Sequence, residues 1–344
     1  MRCGETLLKN GVKMKKTIKI NFIDYGKRFD PKQDIFFNLL ETKYKVDISD
    51  DPDYIFYTLS GNEHHKYDGI RIFWTGENVV PNFNVCDYAF GFNWMTLGDR
   101  YKRYPLWATY KTALQGAMAR GKEISDNVLL ARGFCALVIS NAKQTDGVRE
   151  KLYHKLALYK KIASGGRWKN NVGGPVKDKV AFQKDYKFVL ACENMYSPGY
   201  TTEKILEGFA SNAIPIYYGD PDVVLDFNPK AFINSHDFKT MDDLVKYVKE
   251  VDEDDALYLK MIREPIFKNG KLPEEYTDQA VLSFLSNIFD QPKEKARRKY
   301  FIKPYLDIDY SALKARDIKA ILLGVVKKEV RKIFKKRQGL KFSK

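Results

Sequence analysis

Tyr186–Asp222 reads YKFVLACENMYSPGYTTEKILEGFASNAIPIYYGDPD, and this stretch decides the fold. Its opening run, Tyr186–Cys192, is apolar nearly throughout, as a strand buried on both faces must be. Glu193–Tyr200 is polar, carries Pro198-Gly199, and reads as a loop. Thr202–Ala210 has helical spacing, and Ile214–Tyr218 is a second apolar strand. Strand, helix and strand in so few residues form a βαβ unit, whose strands are parallel. Thr201 or Thr202 can serve as N-cap with Glu203 in the first turn. Free backbone N–H groups and the positive end of the helix dipole make that turn a ready anion site. Lys204 is the odd residue, because a cation there opposes the dipole at roughly 0.3–1 kcal/mol. Either it points into solvent, or an anion binds beside it.

Working outward, the same alternation extends in both directions. Phe134–Ser140 is a short apolar strand. Gly147–Ile162 reads as a helix with Val148, Leu152, Leu156, Leu158 and Tyr159 roughly on one face. Ser164–Lys179 is a polar, Gly-rich loop. Nearer the start, Thr17–Asp24, Asp53–Leu59, Gly69–Thr75 and Asp87–Phe92 read as strands. Pro31–Leu40 is a helix with Pro in its first turn. Two α/β halves result, residues 17 to about 128 and about 131 to 290, with a cleft expected between them where nucleotide ligands bind. The domain scheme is therefore 1–128, 131–290 and a tail, 291–344.

Composition limits what such a chain does. Its 344 residues are 44% hydrophobic and 14% aromatic, enough for sizeable cores and unlike a disordered chain. The longest apolar runs, such as Phe134–Ile139, are far short of the ~20 residues that span a bilayer. No signal peptide is expected, and Met14 is a candidate initiator. Cys3, Cys86, Cys135 and Cys192 are scattered, which suggests neither a zinc site nor a disulfide framework. A cytoplasmic location fits these features. The net charge is +15, but residues 293–344 hold 18 basic and 5 acidic residues, so the body is nearly neutral. A nucleic-acid partner is not expected, since such proteins more often carry the basic face on the folded domain. From Leu313 onward Ile318, Ile321, Leu322, Val325, Val326, Val330, Ile333 and Phe334 recur at helical spacing among lysines and arginines. That pattern fits an amphipathic helix on an anionic membrane surface, or one docked on the body.

Three Asp-x-Asp triplets, Asp51–Asp53, Asp220–Asp222 and Asp307–Asp309, show how unspecific that metal-binding pattern is. A turn is the expected role of Asp220-Pro221. His64, His65, His154 and His236 have no metal-ligand spacing, and the first two are expected on a surface loop. Trp74, Tyr88, Phe90, Phe92 and Trp94 are expected to be mostly core.

Tyr186–Asp222 resembles the donor-binding motif of the α1,3/α1,4-fucosyltransferases, glycosyltransferase family ten, through Glu193-Asn194, Gly199-Tyr200, Thr202-Glu203-Lys204-Ile205 and Ile214-Pro215-Ile216-Tyr217. A second stretch resembles that family's N-terminal motif: Phe73–Asn84 (FWTGENVVPNFN), followed by Cys86–Phe92 and Asp99–Leu106. Phe134–Ser140, Arg149 and Phe227–Phe238 belong to the same likeness, which covers residues 17 to 290. Cys192, Met195-Tyr196-Ser197, Thr201 and Tyr218 depart from the family's usual residues, but none of these removes a charge.

The resemblance implies a GT-B architecture of two Rossmann-like domains around a cleft. It also implies an inverting transfer of L-fucose from GDP-L-fucose to GlcNAc of an N-acetyllactosamine-type glycan, in α1,3 or α1,4 linkage, with bacterial surface polysaccharide as the expected setting. Glu77 would be the base that takes the acceptor proton. Arg149 and Lys204 would hold the diphosphate, with Asn194, Tyr200 and Glu203 beside the donor. No metal would be required, Mn²⁺ or Mg²⁺ being stimulatory at most. With the tail, the expectation is a peripheral protein on the inner face of the cell membrane. The alternatives are another nucleotide-sugar donor or linkage on the same fold, or a non-catalytic membrane-surface adaptor.

Overall fold

The computed structural model describes residues 8–9, 12–13, 15–140 and 145–298. The expected amphipathic helix beyond Leu313, most of the 291–344 tail, and Cys3 lie outside the described residues. The strands are β1 (Leu8–Lys9), β2 (Val12–Lys13), β3 (Thr17–Ile23), β4 (Lys45–Ile48), β5 (Tyr54–Tyr57), β6 (Ile70–Phe73), β7 (Tyr88–Gly91) and β8 (Tyr101–Arg103). There follow β9 (Gly133–Leu137), β10 (Ile162–Ser164), β11 (Tyr186–Cys192), β12 (Ile214–Tyr218) and β13 (Ile233–Asn234). The helices that matter below are α1 (Ile35–Lys43), α2 (Lys111–Met118), α3 (Asp126–Leu130), α4 (Val148–Ala157), α5 (Lys179–Gln183) and α6 (Glu203–Ala210). After them come α7 (Val223–Asp226), α8 (Met241–Glu253) and α9 (Asp255–Arg263).

Two sheets carry the fold. One has the order β4-β3-β5-β6-β7-β8, the other β10-β9-β11-β12-β13. Pairing is parallel from β4 through β7 and throughout the second sheet. In each sheet the second strand lies outside the first and the third lies inside it. That is the doubly wound order with its switch point between first and third strands. The described residues gather into two compact units. One holds the chain up to Thr75, Pro81–Ala89 and the residues from Ile288 on; the other holds Gly76–Val80 and Phe90–Asn287.

Local chemistry explains where the elements fall. The expected helix from Pro31 divides in two. A 3₁₀ turn, Pro31–Gln33, is capped by Asp30, and α1 starts afresh behind Asp34. Asp34 is extended and its carboxylate accepts from the N–H groups of Phe36 and Phe37 at 2.8 and 3.2 Å. Behind that cap, Phe36 stacks on Phe56, which stacks on Phe22. β4 gave no sequence signal because it is an edge strand with no buried residue. The helix expected over Gly147–Ile162 ends at Ala157, and Ile162–Ser164 instead supplies β10. Leu158, expected on its apolar face, is exposed, whereas Leu152 and Leu156 pack with Leu137, Phe188, Leu190, Ile214 and Ile216. Trp74, Tyr88, Phe90 and Phe92 are core as expected, and Trp94 is exposed, its ring 3.7 Å from the Arg103 guanidinium. His64 corrects the surface-loop expectation, being 1% exposed with its Nδ1 against Asp24.

Candidate functional site

At the switch point of the second sheet the chain leaves β9 through Val138-Ile139-Ser140 and leaves β11 through Glu193-Asn194. The C-terminal ends of two adjacent parallel strands thus diverge, and a pocket opens there. It has a volume of about 220 Å³, and its wall includes Val138, Ile139, Ser140, Arg149, Gln183, Asn194, Glu203 and Lys204. Four of the six expected site residues, Arg149, Asn194, Glu203 and Lys204, therefore meet in one place.

Arg149 stands in the first turn of α4. It is 4% exposed, and so it is not a solvated residue of the helix surface. Its Nη1 donates to Asn194 Oδ1 at 3.4 Å. Burial holds the guanidinium below its ordinary value, so the pocket gains by receiving an anion.

Lys204, in the first turn of α6, is not a solvent-pointing lysine either. Its Nζ donates to Glu193 Oε2 and to Thr202 Oγ1, each at 2.8 Å, and lies 3.7 Å from Glu203 Oε1. Burial alone would lower this ammonium, but the Glu193 and Glu203 carboxylates prevail and it sits well above its ordinary value. It is a permanent cation. The unfavourable dipole position is compensated within the protein by Glu193, to which the sequence alone assigns no role. Glu193 is fully buried and also accepts from the backbone N–H and hydroxyl of Thr202. Thr202 is the N-cap residue, but its hydroxyl serves Glu193 and not the helix N–H groups, so the first turn of α6 stays open to an anion.

A second brace holds the loop before α6. Asp220, fully buried after β12, accepts from Gly199 N–H and Thr201 Oγ1, each at 2.7 Å, and from Asp222 N–H at 2.8 Å. This is a turn-forming role, and Asp220-Pro221-Asp222 directs its first carboxylate inward. Gly199 has φ +80°, and a Cβ there would lie 2.6 Å from the Phe92 carbonyl oxygen, so the turn requires glycine. Arg103 clamps the same carbonyl region. Its guanidinium forms a two-pronged pair with Asp226 at 2.7 and 2.8 Å and donates to the carbonyls of Phe92 and Gly199.

Tyr200 and Glu77 lie apart from the pocket wall but near one another. Tyr200 is buried, its hydroxyl donating to the Gly76 carbonyl at 3.4 Å, and Ser197 Oγ donates to Asn78 Oδ1 at 3.1 Å. The loop that carries Tyr200 thereby holds the Gly76-Glu77-Asn78 bend that follows β6. Burial raises the Tyr200 phenol, with the carboxylates of Glu193 and Glu77 adding to it, so it remains a neutral hydrogen-bonding group. Glu77, the middle residue of this bend, is exposed.

Two doubly wound parallel sheets, one with a polar, cation-bearing pocket at its switch point, define the GT-B class of glycosyltransferase folds. A crystal structure of an α1,3-fucosyltransferase superposes with a TM-score of 0.73 at 29% identity, covering 87% of this chain and 96% of that one. Another, of an α1,3-fucosyltransferase with GDP-fucose, gives 0.70 at 28%, covering 83% and 94%. The family described as the alpha-(1,3)-fucosyltransferase FucT N-terminal domain matches residues 20–110, and glycosyltransferase family 10 (fucosyltransferase), C-terminal part, matches residues 131–263. The chain belongs to glycosyltransferase family 10. It is 34% identical over 270 residues to the Helicobacter pylori alpha-(1,3)-fucosyltransferase FucT, covering 68% of this chain and 56% of that one. With the Bos taurus 3-galactosyl-N-acetylglucosaminide 4-alpha-L-fucosyltransferase it shares 33% over 140 residues, 40% of this chain and 38% of that one. The chain thus spans about half the length, or less, of these curated relatives.

Proposed function

We propose that this protein transfers L-fucose from GDP-L-fucose to GlcNAc of an N-acetyllactosamine-type glycan, with inversion at the anomeric carbon. The observation that carries this reading is the meeting of Arg149, Asn194, Glu203 and Lys204 around one pocket beside the open first turn of α6. Two cations and a helix N-terminus together suit a diphosphate leaving group, whose charge grows as its bond to the sugar breaks. Glu77 is the proposed base. Its carboxylate takes the proton of the acceptor hydroxyl while that oxygen bonds to the anomeric carbon. The bond from that carbon to the β-phosphate oxygen breaks in the same step, and GDP leaves with the electron pair. Tyr200, Asn194 and Glu203 position the donor. The likeness to an α1,3-fucosyltransferase crystallised with GDP-fucose supports the choice of donor.

Metal independence belongs to the proposal, since Arg149 and Lys204 supply the charge that a divalent ion would otherwise bring. So does residence on the inner face of the cell membrane, through the basic tail, with bacterial surface polysaccharide as the setting. The sequence alone supports that part, and sedimentation with anionic vesicles at low and high salt tests it.

The deciding experiment incubates the purified chain with GDP-fucose and, separately, lactose, N-acetyllactosamine and its β1,3-linked isomer, with and without EDTA. Fucosylated product whose anomeric configuration is inverted relative to the donor supports the reading. Transfer only from a different nucleotide sugar overturns the choice of donor, and no transfer from any donor favours a non-catalytic adaptor.

A further inference from the structure

Gln183 ends α5 and is 1% exposed, yet neither its Oε1 nor its Nε2 has a hydrogen-bond partner. It lies in the wall of the same pocket as Arg149 and Lys204. A buried carboxamide with both halves unsatisfied is rare, because each half loses its water without replacement. Elsewhere in the pocket wall Val138, Ile139, Val189 and Leu190 carry no polar side-chain atom. Lys179, one turn earlier on α5, is already paired with Glu207.

The pocket lining therefore combines two chemistries. Arg149 and Lys204 give it a cationic part suited to a diphosphate. Aliphatic walls with one unsatisfied carboxamide give it another, suited to a flat, mostly apolar group with a hydrogen-bonding edge. A nucleoside diphosphate has this division of chemistry, phosphates at one end and a base at the other. We propose that Gln183 is a specificity-determining residue that reads the base of the bound nucleotide. Its Oε1 accepts from a ring N–H while its Nε2 donates to the adjacent ring carbonyl, the pairing that the N1–H and O6 of guanine offer. The inference rests on the pocket being the GDP-sugar site.

The test measures binding of GDP, ADP and inorganic pyrophosphate to the full chain by calorimetry, for wild type, Gln183→Leu and Gln183→Met. Leucine and methionine keep much of the volume without the amide, and two variants guard against one that misfolds. GDP should weaken by about 10–100-fold in both, the range for a lost two-point base contact. Pyrophosphate should stay within about two-fold, and the preference for GDP over ADP should shrink. The unliganded variants should melt no lower than wild type, because they lose an unsatisfied polar group. Wild-type protein that binds GDP as tightly as the variants do overturns this inference alone. Equal losses for GDP and pyrophosphate also overturn it, since Gln183 would then only shape the pocket. Wild-type protein that binds neither GDP nor pyrophosphate overturns the donor site as well.

Discussion

The two sheets share a strand order, but their switch points are finished in opposite ways. In the first sheet the crevice between β3 and β5 is filled by the protein itself. Asp24, at the end of β3 with φ +62°, accepts from the N–H groups of Glu63 and His64 at 2.8 and 3.1 Å and contacts His64 Nδ1. The His64 ring then stacks on Tyr57, the last residue of β5, at 4.2 Å. In the second sheet the corresponding crevice, between β9 and β11, stays open and is lined by Arg149, Asn194, Glu203 and Lys204. Topology alone makes the crevice. The side chains at the strand ends decide whether it becomes a binding site or a sealed joint, which is why function has to be argued from the site.

The largest expected effect comes from neither crevice but from the bend after β6. Glu77→Gln should lower turnover by roughly 10²–10⁴-fold, the range for removing a positioned general base, and leave GDP binding within about two-fold. Steady-state kinetics beside GDP titration checks it. Near-normal turnover would remove Glu77 from the mechanism and return the search for a base to the open crevice.

Within the open crevice the two cations differ in their surroundings, and their variants should separate. Arg149→Met and Lys204→Met should each weaken GDP by about 10–100-fold, the loss of a charge-assisted contact of roughly 1.5–3 kcal/mol. Only Lys204→Met should also lower the melting temperature, because it leaves the fully buried Glu193 without its ammonium. Arg149→Met removes a guanidinium already disfavoured by burial, so its melting point should hold. Equal stability losses would mean that both cations are structural. For the sealed crevice the contrast reverses. Asp24→Ala should destabilise by about 1–3 kcal/mol, since it strands two N–H groups, and should leave GDP affinity unchanged.

How much of this was readable in the sequence follows the same division between backbone and side chain. β11 and β12 match their expected bounds, because a nearly continuous apolar run stops at Glu193 in one case and at Gly219 in the other. β4 was silent because an exposed edge strand needs no alternation. The meeting of Arg149 with Asn194 and Lys204 was expected only from family resemblance, since no pattern of spacing joins α4 to the first turn of α6. Glu193 and Gln183 escaped notice for one reason. A glutamate after a strand and a glutamine at a helix end look like ordinary surface residues until the fold buries them. His64 behaves in the same way, because Asp24, far away in the chain, draws it inward.

The smallest expected effect lies at the start of α1 and separates fold stability from donor binding. Burial raises the Asp34 carboxyl from its ordinary value to about 6, although the N–H groups of Phe37 and Phe36 oppose the rise. In the unfolded chain it returns to the ordinary carboxylate range. Between the two values the folded protein binds more protons than the unfolded one. Stability attributable to Asp34 therefore falls as pH rises through that window and is lowest once the folded group is ionised. Asn is as good an N-cap as Asp and carries no charge to bury. Asp34→Asn should thus be more stable than wild type at pH 8, by about 1–2 kcal/mol after discounting for partial exposure, and nearly level with it at pH 4. Denaturant melts at the two pH values measure the difference, and GDP affinity serves as control because Asp34 belongs to the unit without the pocket. A gain that is the same at both pH values would mean that the raised carboxyl contributes nothing and that the better cap alone stabilises the helix.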